Sequence, residues 1–332
     1  MENEKKISVV MCTYNGEKFI RQQIDSILSQ THPIDELIIQ DDYSTDKTYN
    51  ILCEYAIRFP YIRVIRNEQQ SGINSNFFSA LQRANGEYIA ISDQDDIWEL
   101  NKIELQMKAI GDKLLCSGFS RPFSEKNAIA RFDNRIPNYN LLRLVYIGSL
   151  PGHTLFFSKR LLSLLPDTSI LSSYRFYDVM LSMVAAAHDS IVFVNHVLVN
   201  HRRYINAASY TTPTDNQFTL QNIFHNIRRT FRYYQELKPE MNKRLIAAQC
   251  FLSQINSKQP ILQDALQMIQ LQVNSSLINN LRLILFYIRH REKLFYAPVE
   301  KNYLTLLRAV YFPISCSEYY RYLSKSFEKN KK

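Results

Sequence analysis

The chain reads as an α/β fold: a mainly parallel sheet flanked by helices, followed by a C-terminal helical region. Three observations predict this. Short apolar runs at Ile7–Met11, Glu36–Gln40, Ile62–Ile65 and Tyr88–Ile91 alternate with helix-period segments, and short links between them indicate parallel strands covered on both faces. Polar clusters follow three of these strands, as expected where one sheet edge collects the chemistry. Beyond Pro213 the periodicity is helical to the end.

Taken in order, Ile7–Met11 is the first strand, and Glu17–Gln30 a helix with Ile20, Ile24, Ile27 and Leu28 on one face. Glu36–Gln40 is the second strand, and Asp46–Phe59 a helix with Tyr49, Leu52, Ala56 and Phe59 inward. Ile62–Ile65, a short helix over Asn76–Arg83 and the strand Tyr88–Ile91 repeat the unit. After Lys113–Phe119 the pattern is irregular to about Leu150, where Arg121-Pro122 and Ile136-Pro137 interrupt any long element, and this reads as a loop over the sheet edge. Gly152–Phe157 is a further strand and Lys159–Leu165 a helix. Tyr174–Asp178 leads into an apolar helix over Val179–His188, and Ile191–Phe193 returns as a strand. Helices are expected at Asn222–Glu236, Glu240–Asn256, Ile261–Val273, Ser276–Arg291 and Tyr303–Phe312, which divides the chain into residues 1–212 and 213–332.

Composition removes several function classes. The 332 residues are 46% hydrophobic, enough for a sizeable core. None of the seven glycines forms a G-x-G, so the dinucleotide fingerprint and the P-loop are excluded, and a nucleoside diphosphate would have to be held through a metal. Five cysteines (Cys12, Cys53, Cys116, Cys250, Cys316) contain no C-x-x-C pair, which fits a reducing cytoplasm and neither a zinc knuckle nor a disulfide framework. The opening Met-Glu-Asn-Glu-Lys-Lys passes directly into a strand pattern without a secretory apolar core, and no apolar run is long enough to span a bilayer, so a cytoplasmic protein is expected. Residues 213–332 hold 18 Lys or Arg against 8 Asp or Glu, whereas residues 1–212 hold 22 against 23.

The chemistry concentrates at the strand ends. Asp93-Gln94-Asp95-Asp96 places three carboxylates within four residues, and such a cluster repels itself unless a cation neutralises it. Mg²⁺ or Mn²⁺, which spend spare positions on water and substrate phosphates, are the natural partners. A solvated acidic turn is the bland alternative. Position at a strand end of a β-α-β pattern favours the metal–phosphate reading. Cys12-Thr13-Tyr14-Asn15 and Asp41-Asp42-Tyr43-Ser44-Thr45-Asp46 end two other strands. Asn15-Gly16 also reads as a turn, and Ser44 or Asp46 as a helix N-cap. Capping does not account for Asp41 and Asp42, two adjacent carboxylates that need donors.

These segments, with Gly16, Gln30-Thr31, Lys47-Thr48, Gly86-Glu87-Tyr88-Ile89 and Ile97-Trp98, resemble the family 2 glycosyltransferases of GT-A fold, particularly bacterial enzymes that build surface polysaccharides such as O-antigen, capsule or exopolysaccharide. The matches run in the family's order over about residues 5–210. The resemblance implies an inverting, metal-dependent transfer of a sugar from a nucleotide-diphosphate donor to a saccharide or lipid-linked acceptor. It implies that Thr13, Tyr14 and Asp42 contact the nucleotide base with Asn15 and Asp41 beside them, that Asp93 meets the ribose, and that Asp95 coordinates the Mg²⁺ or Mn²⁺. Asp178 stands where the family has its general base, and it also reads as a helix N-cap. Two departures stand out: Val179 and Met180 follow that aspartate where aromatic residues are usual, and His201-Arg202-Arg203-Tyr204 replaces a Tyr-Arg-x-His motif. Either Tyr204 or His201 substitutes for the family histidine, or Arg202 and Arg203 clamp the phosphates.

In the C-terminal region Arg228, Arg229, Arg232, Arg282, Arg289, Arg291 and Lys293 intermix with Phe224, Phe231, Tyr233, Tyr234, Phe286, Tyr287, Phe295 and Tyr296. Two readings apply: a peripheral contact with the anionic inner face of the cytoplasmic membrane, or helices packed on the catalytic domain with solvated charges. No nucleic-acid-binding motif accompanies the charge. The rival functions are a sugar-nucleotide nucleotidyltransferase, disfavoured by the absence of its glycine-rich first loop, and a non-catalytic nucleotide-binding scaffold.

Overall fold

The computed structural model describes residues 5–124, 132–148, 150–203, 220–295, 303 and 305–314. The expected boundary at 212/213, Tyr204 and Tyr296 lie outside the described residues.

The first half alternates as expected: β1 (Ile7–Thr13), α1 (Ile20–Leu28), β2 (Glu36–Asp41), α2 (Thr48–Arg58), β3 (Ile62–Arg66), α3 (Ile73–Gln82) and β4 (Tyr88–Ser92). There follow β5 (Ile97–Trp98), α4 (Lys102–Ile110), β6 (Leu115–Phe123) and α5 (Leu141–Tyr146). A single 3₁₀ turn at Gly152–Thr154 precedes β7 (Phe156–Ser158), so the strand expected over Gly152–Phe157 is half turn. The remainder is α6 (Arg160–Ser163), α7 (Ser169–Ser172), α8 (Tyr177–Ala187), β8 (Ile191–Arg202), α9 (Leu220–Ser253), α10 (Pro260–Val273), α11 (Leu277–Arg289) and α12 (Arg291–Leu294). Residues 305–314 form a last helix.

The eight strands lie in the order β3-β2-β1-β4-β7-β6-β8-β5. β1 to β4 pair in parallel, β7 runs antiparallel to both β4 and β6, and β8 is parallel to β6. Because β7 is reversed, the turn before it sits at the edge where β4, β6 and β8 end. That topology brings His153, Ser120 and His201 to the edge already holding Thr13, Asp41 and Asp93.

Strand alternation divides the apolar side chains between two faces. Val9, Met11, Leu37 and Ile39 join Ile20, Ile24 and Leu52 of α1 and α2 on one face. Val10, Ile38, Ile89 and Ile91 join Phe77, Met180 and Val184 on the other, and Leu245, Phe251, Met268, Leu283 and Tyr287 of the C-terminal helices extend this same core. The two sides of the expected boundary therefore share one packed interior.

α5 falls within the stretch to about Leu150 that was expected as a loop, and two further helices differ from expectation for identifiable reasons. α4 buries Lys102 and Gln106 alongside Ile103 and Ile110, so its inward face lacks the apolar period that marks a helix in sequence. α9 runs continuously through Pro239, where a break was expected; proline removes one helical hydrogen bond, which the long helix tolerates. The aromatic membrane surface is corrected in part: Phe286, Tyr287 and Phe295 are buried in the core, where Phe312 meets Tyr287 and Phe295 edge-on. The side chains of Phe224, Arg228, Arg229, Arg232 and Tyr233 lie outside the described residues. Among the described residues no helix is long and apolar enough to cross a membrane.

Candidate active site

The ends of β1 and β2 are tied together by the adjacent carboxylates that needed donors. Thr13 and Asp41 are register partners, and the Thr13 hydroxyl donates to Asp41 Oδ1 at 2.9 Å. Asp41, fully buried, also receives the Ser44 amide at 2.9 Å and the Ser44 hydroxyl at 2.5 Å. Asp42 Oδ1 accepts from Asn67 Nδ2, the Ser71 amide and the Ser71 hydroxyl, and Asp42 Oδ2 accepts from the Gly72 amide. Both carboxylates thus organise loops from within. The bends they hold leave Asn15 at φ 48° and Tyr43 at φ 64°, a left-handed conformation costly for a bulky side chain and sustained by the bonds on either side. The consequence is two aromatic rings at the edge, Tyr14 at 42% and Tyr43 at 46% exposure. Sequence reasoning named Tyr14 and passed over Tyr43.

Gln94 connects this group to the acidic cluster. Its Oε1 accepts the Tyr14 amide at 2.8 Å and its Nε2 donates to the Tyr14 carbonyl at 3.0 Å. The amide lies so close over Gly16 that a Cβ there would fall 2.4 Å from Gln94 Oε1, which explains the glycine.

Asp96, the fully buried member of the cluster, stands between two histidines. His201 Nδ1 lies 3.0 Å from Asp96 Oδ1, and His153 Nδ1 lies 3.3 Å from Asp96 Oδ2 and 3.1 Å from Asp93 Oδ2. The two imidazoles stack, with centroids 4.8 Å apart. Burial opposes a charge on His153, but Asp96, Asp93 and Asp95 outweigh it and raise its pKa to about 8, and its Nε2 lies 2.8 Å from Ser120 Oγ. Burial likewise pushes Asp96 up, yet His153, His201 and the Arg202 amide together hold its carboxyl below the usual range. Sequence reasoning assigned His153 no role, because only the reversed β7 carries it to this edge. A buried scaffold holds that turn: Gln106 donates to the Thr154 carbonyl at 2.8 Å, and Lys102, its ammonium 3.9 Å from the centre of the Trp98 ring, donates to Gln106.

Arg202 does not face outward as the phosphate-clamp reading expected. It is buried, donates from Nε to the Asp95 carbonyl at 2.9 Å and from its terminal nitrogen to Gln22 at 2.6 Å, and lies between the rings of Phe19 and Phe123. The guanidinium fixes the Asp95–Asp96 turn from behind.

Asp178 sits in the first turn of α8, just inside the Phe176 cap position, and its Oδ1 accepts its neighbour Val179's amide at 2.8 Å. Burial pushes its carboxyl up to about 6, the Asp93 carboxylate adds to the rise, and the Val179 amide and His153 oppose it. Asp178 thus feels the charge of the acidic cluster although it lies far along the chain from Asp93. The preceding Tyr177 stacks on Phe77 at 3.9 Å and donates its amide to Asn74 at 2.8 Å, which sets the start of the helix.

The donor set for a cation can be tested against this geometry. Asp96, His153 and His201 each offer a ligand atom, all within 4.8 Å of one another, and Asp96 Oδ2 is buried without a hydrogen bond. Two imidazoles and a carboxylate suit Mn²⁺ better than Mg²⁺, which prefers oxygen ligands.

Residues 8–165 match the family model for Glycosyl transferase family 2. TuaG of Bacillus subtilis, a glycosyltransferase assigned to teichuronic acid biosynthesis, is 37% identical over 114 residues, 34% of this chain and 45% of TuaG. WfgD of Escherichia coli, named as a UDP-Glc:alpha-D-GlcNAc-diphosphoundecaprenol beta-1,3-glucosyltransferase, is 38% identical over 101 residues, 30% of this chain and 39% of WfgD. The matched part of the chain thus spans less than half the length of either relative. Among solved structures, Staphylococcus aureus TarS 1–349 in complex with UDP superposes with a TM-score of 0.53 over 98% of this chain and 91% of that one at 15% identity. Its UDP-GlcNAc complex gives 0.54 at 16% identity, a likeness of fold. Residues 8–165 are thus similar to glycosyltransferase family 2, on a fold like that of TarS 1–349.

Proposed function

We propose that the protein transfers a sugar from a nucleoside-diphosphate donor to an acceptor hydroxyl, with inversion at C1, in the assembly of a bacterial surface polysaccharide. The observation that carries this is Asp178, a carboxylate with its pKa raised to about 6 that feels the acidic edge of the sheet. A base tuned near the working pH is what an attacking hydroxyl requires. The acceptor oxygen forms its bond to C1 as its proton passes to Asp178, and the C1–oxygen bond to the diphosphate breaks with its electron pair leaving on the nucleotide.

The other residues position the donor. Tyr14 and Tyr43 offer exposed rings to the base, within loops held by Thr13, Asn15, Asp41 and Asp42, and Asp93 offers its carboxylate to the ribose. Arg202 supports the metal turn from behind. A divalent cation held by Asp95 and the group of Asp96, His153 and His201 would supply neutralisation of the leaving diphosphate. WfgD is named for a diphosphoundecaprenol-linked acceptor, which supports a lipid-linked acceptor here.

The test is release of nucleoside diphosphate from UDP-, GDP- and dTDP-sugars, with Mn²⁺ or Mg²⁺ and again with EDTA. Metal-dependent release from one donor is expected. No release together with absent nucleotide binding would favour the scaffold reading, and uptake of pyrophosphate by a sugar nucleotide to give a nucleoside triphosphate would favour the nucleotidyltransferase.

A further inference from the structure

Burial of Phe286, Tyr287 and Phe295 leaves a different set of apolar side chains outside. α11 turns Leu283, Phe286 and Tyr287 into the core, yet Leu277, Ile278, Leu281 and Leu285 are each between 57% and 79% exposed. At about 100° per residue these four fall on one stripe, with Arg282 and Arg289 along one border of it. The helix over 305–314 repeats the arrangement. Thr305, Ala309 and Phe312 are buried, whereas Leu306, Leu307 and Val310 are exposed and share a stripe with the exposed Tyr303. The ring of Phe312, edge-on to Tyr287 at 5.3 Å, joins the two helices from within.

Charge decides what such a surface can meet. Neither residues 274–291 nor 301–314 contain an Asp or Glu. A second copy docking through the same face would place Arg282 and Arg289 against their own counterparts with no carboxylate on either helix to receive them. An anionic lipid surface supplies both missing partners, acyl chains for the leucines and phosphates for the arginines. Neither helix is long and apolar enough to cross, so the contact lies along the interface.

We infer that the outer faces of α11 and the helix over 305–314 are a docking surface for anionic phospholipid, with Leu277, Ile278, Leu281 and Leu285 entering the headgroup–acyl boundary and Arg282 and Arg289 engaging phosphate. This deepens the proposed function, from which it takes the lipid-carried acceptor. The surface differs from the basic-aromatic one read from sequence, since the lipid-facing residues of α11 are aliphatic and its aromatic ones, Phe286 and Tyr287, anchor it.

The experiment is vesicle co-sedimentation of the full chain with phosphatidylcholine alone and with added phosphatidylglycerol, beside sedimentation velocity without lipid. The chain should bind the anionic vesicles. Leu281→Ser/Leu285→Ser should lower binding at least about tenfold, and Arg282→Gln/Arg289→Gln should lower it by about thirtyfold on anionic vesicles only. Both variants should keep the parental melting temperature and the parental rate of donor hydrolysis in water. Absence of vesicle binding, equal binding by the leucine variant, or a lipid-free dimer that the leucine variant abolishes would overturn the inference. Hydrolysis read on the same samples separates the two claims: hydrolysis without vesicle binding defeats this surface alone, and vesicle binding without hydrolysis defeats the enzymatic reading alone.

Discussion

If Asp178 takes the acceptor's proton, its raised pKa must appear in the rate. With a pKa of about 6 the carboxyl is about 90% ionised at pH 7 and about 10% ionised at pH 5. Only the ionised form accepts a proton, so kcat/KM should fall about tenfold between pH 7 and pH 5, approaching tenfold per pH unit below that. A carboxyl at the ordinary value of about 3.9 would remain more than about 90% ionised at pH 5 and give an almost flat profile over the same range. The shift itself therefore makes the base visible.

The measurement is initial-rate product formation at subsaturating donor and acceptor between pH 5 and 8, with circular dichroism at each pH to establish that the chain stays folded. Asp178→Asn should lower kcat by about 10²–10⁴-fold, leave the donor's KM nearly unchanged and erase the acid limb from the residual rate. The carboxamide introduced by this substitution can still accept the Val179 amide through its own oxygen, so loss of fold is not the expected cause. A folded wild-type enzyme whose rate is level down to pH 5, or an Asp178→Asn enzyme retaining more than about a tenth of the rate, would refute the assignment.

Other perturbations of the site have distinct readouts. Asp41→Ala removes the acceptor for the Thr13 hydroxyl and for the Ser44 amide and hydroxyl in a fully buried position, and should destabilise the fold by about 3 kcal/mol, read as a lower urea midpoint at unchanged slope. Gly152→Ala would place a Cβ 2.2 Å from the Tyr177 hydroxyl, so the ring beside Asp178 must move; about 1–3 kcal/mol of stability should be lost, and kcat should fall more than donor KM rises. His201→Ala should weaken Mn²⁺ binding at least about tenfold by calorimetry and narrow the preference for Mn²⁺ over Mg²⁺, whereas an unchanged Mn²⁺ affinity would remove His201 as a ligand.

The parallel part of the fold was legible because β1, β2 and β4 are buried on both faces and read as largely apolar runs, and β1 to β4 fall within a residue or two of expectation. The carboxylates at their ends were legible for the same reason, since Asp41, Asp42 and Asp93 follow directly on those runs. β8 was not. Only its first three residues were read as strand, because Asn195, His196, Asn200 and His201 interrupt the apolar pattern, yet pairing with β6 carries it to Arg202 through two register shifts. Those shifts deliver His201 to Asp96, a placement that depends on a partner strand far earlier in the chain. His153 was hidden in the same way by the reversal of β7.

The C-terminal helices illustrate a limit of a different kind. In sequence, aromatic residues among arginines suggested an interfacial surface, but an amphipathic helix has two apolar possibilities and composition does not say which one faces the core. Packing decides it: Tyr146, Tyr287 and Phe312 fill the volume beneath α11, so its large rings turn inward with Leu283 and its Leu277, Leu281 and Leu285 are left outside. Rings bury more apolar area per side chain than leucines do, and one shared aromatic cluster fixes two helices at once. The exposed leucines are therefore a consequence of how the core was filled, and a contiguous apolar surface of that kind is what an interaction site presents.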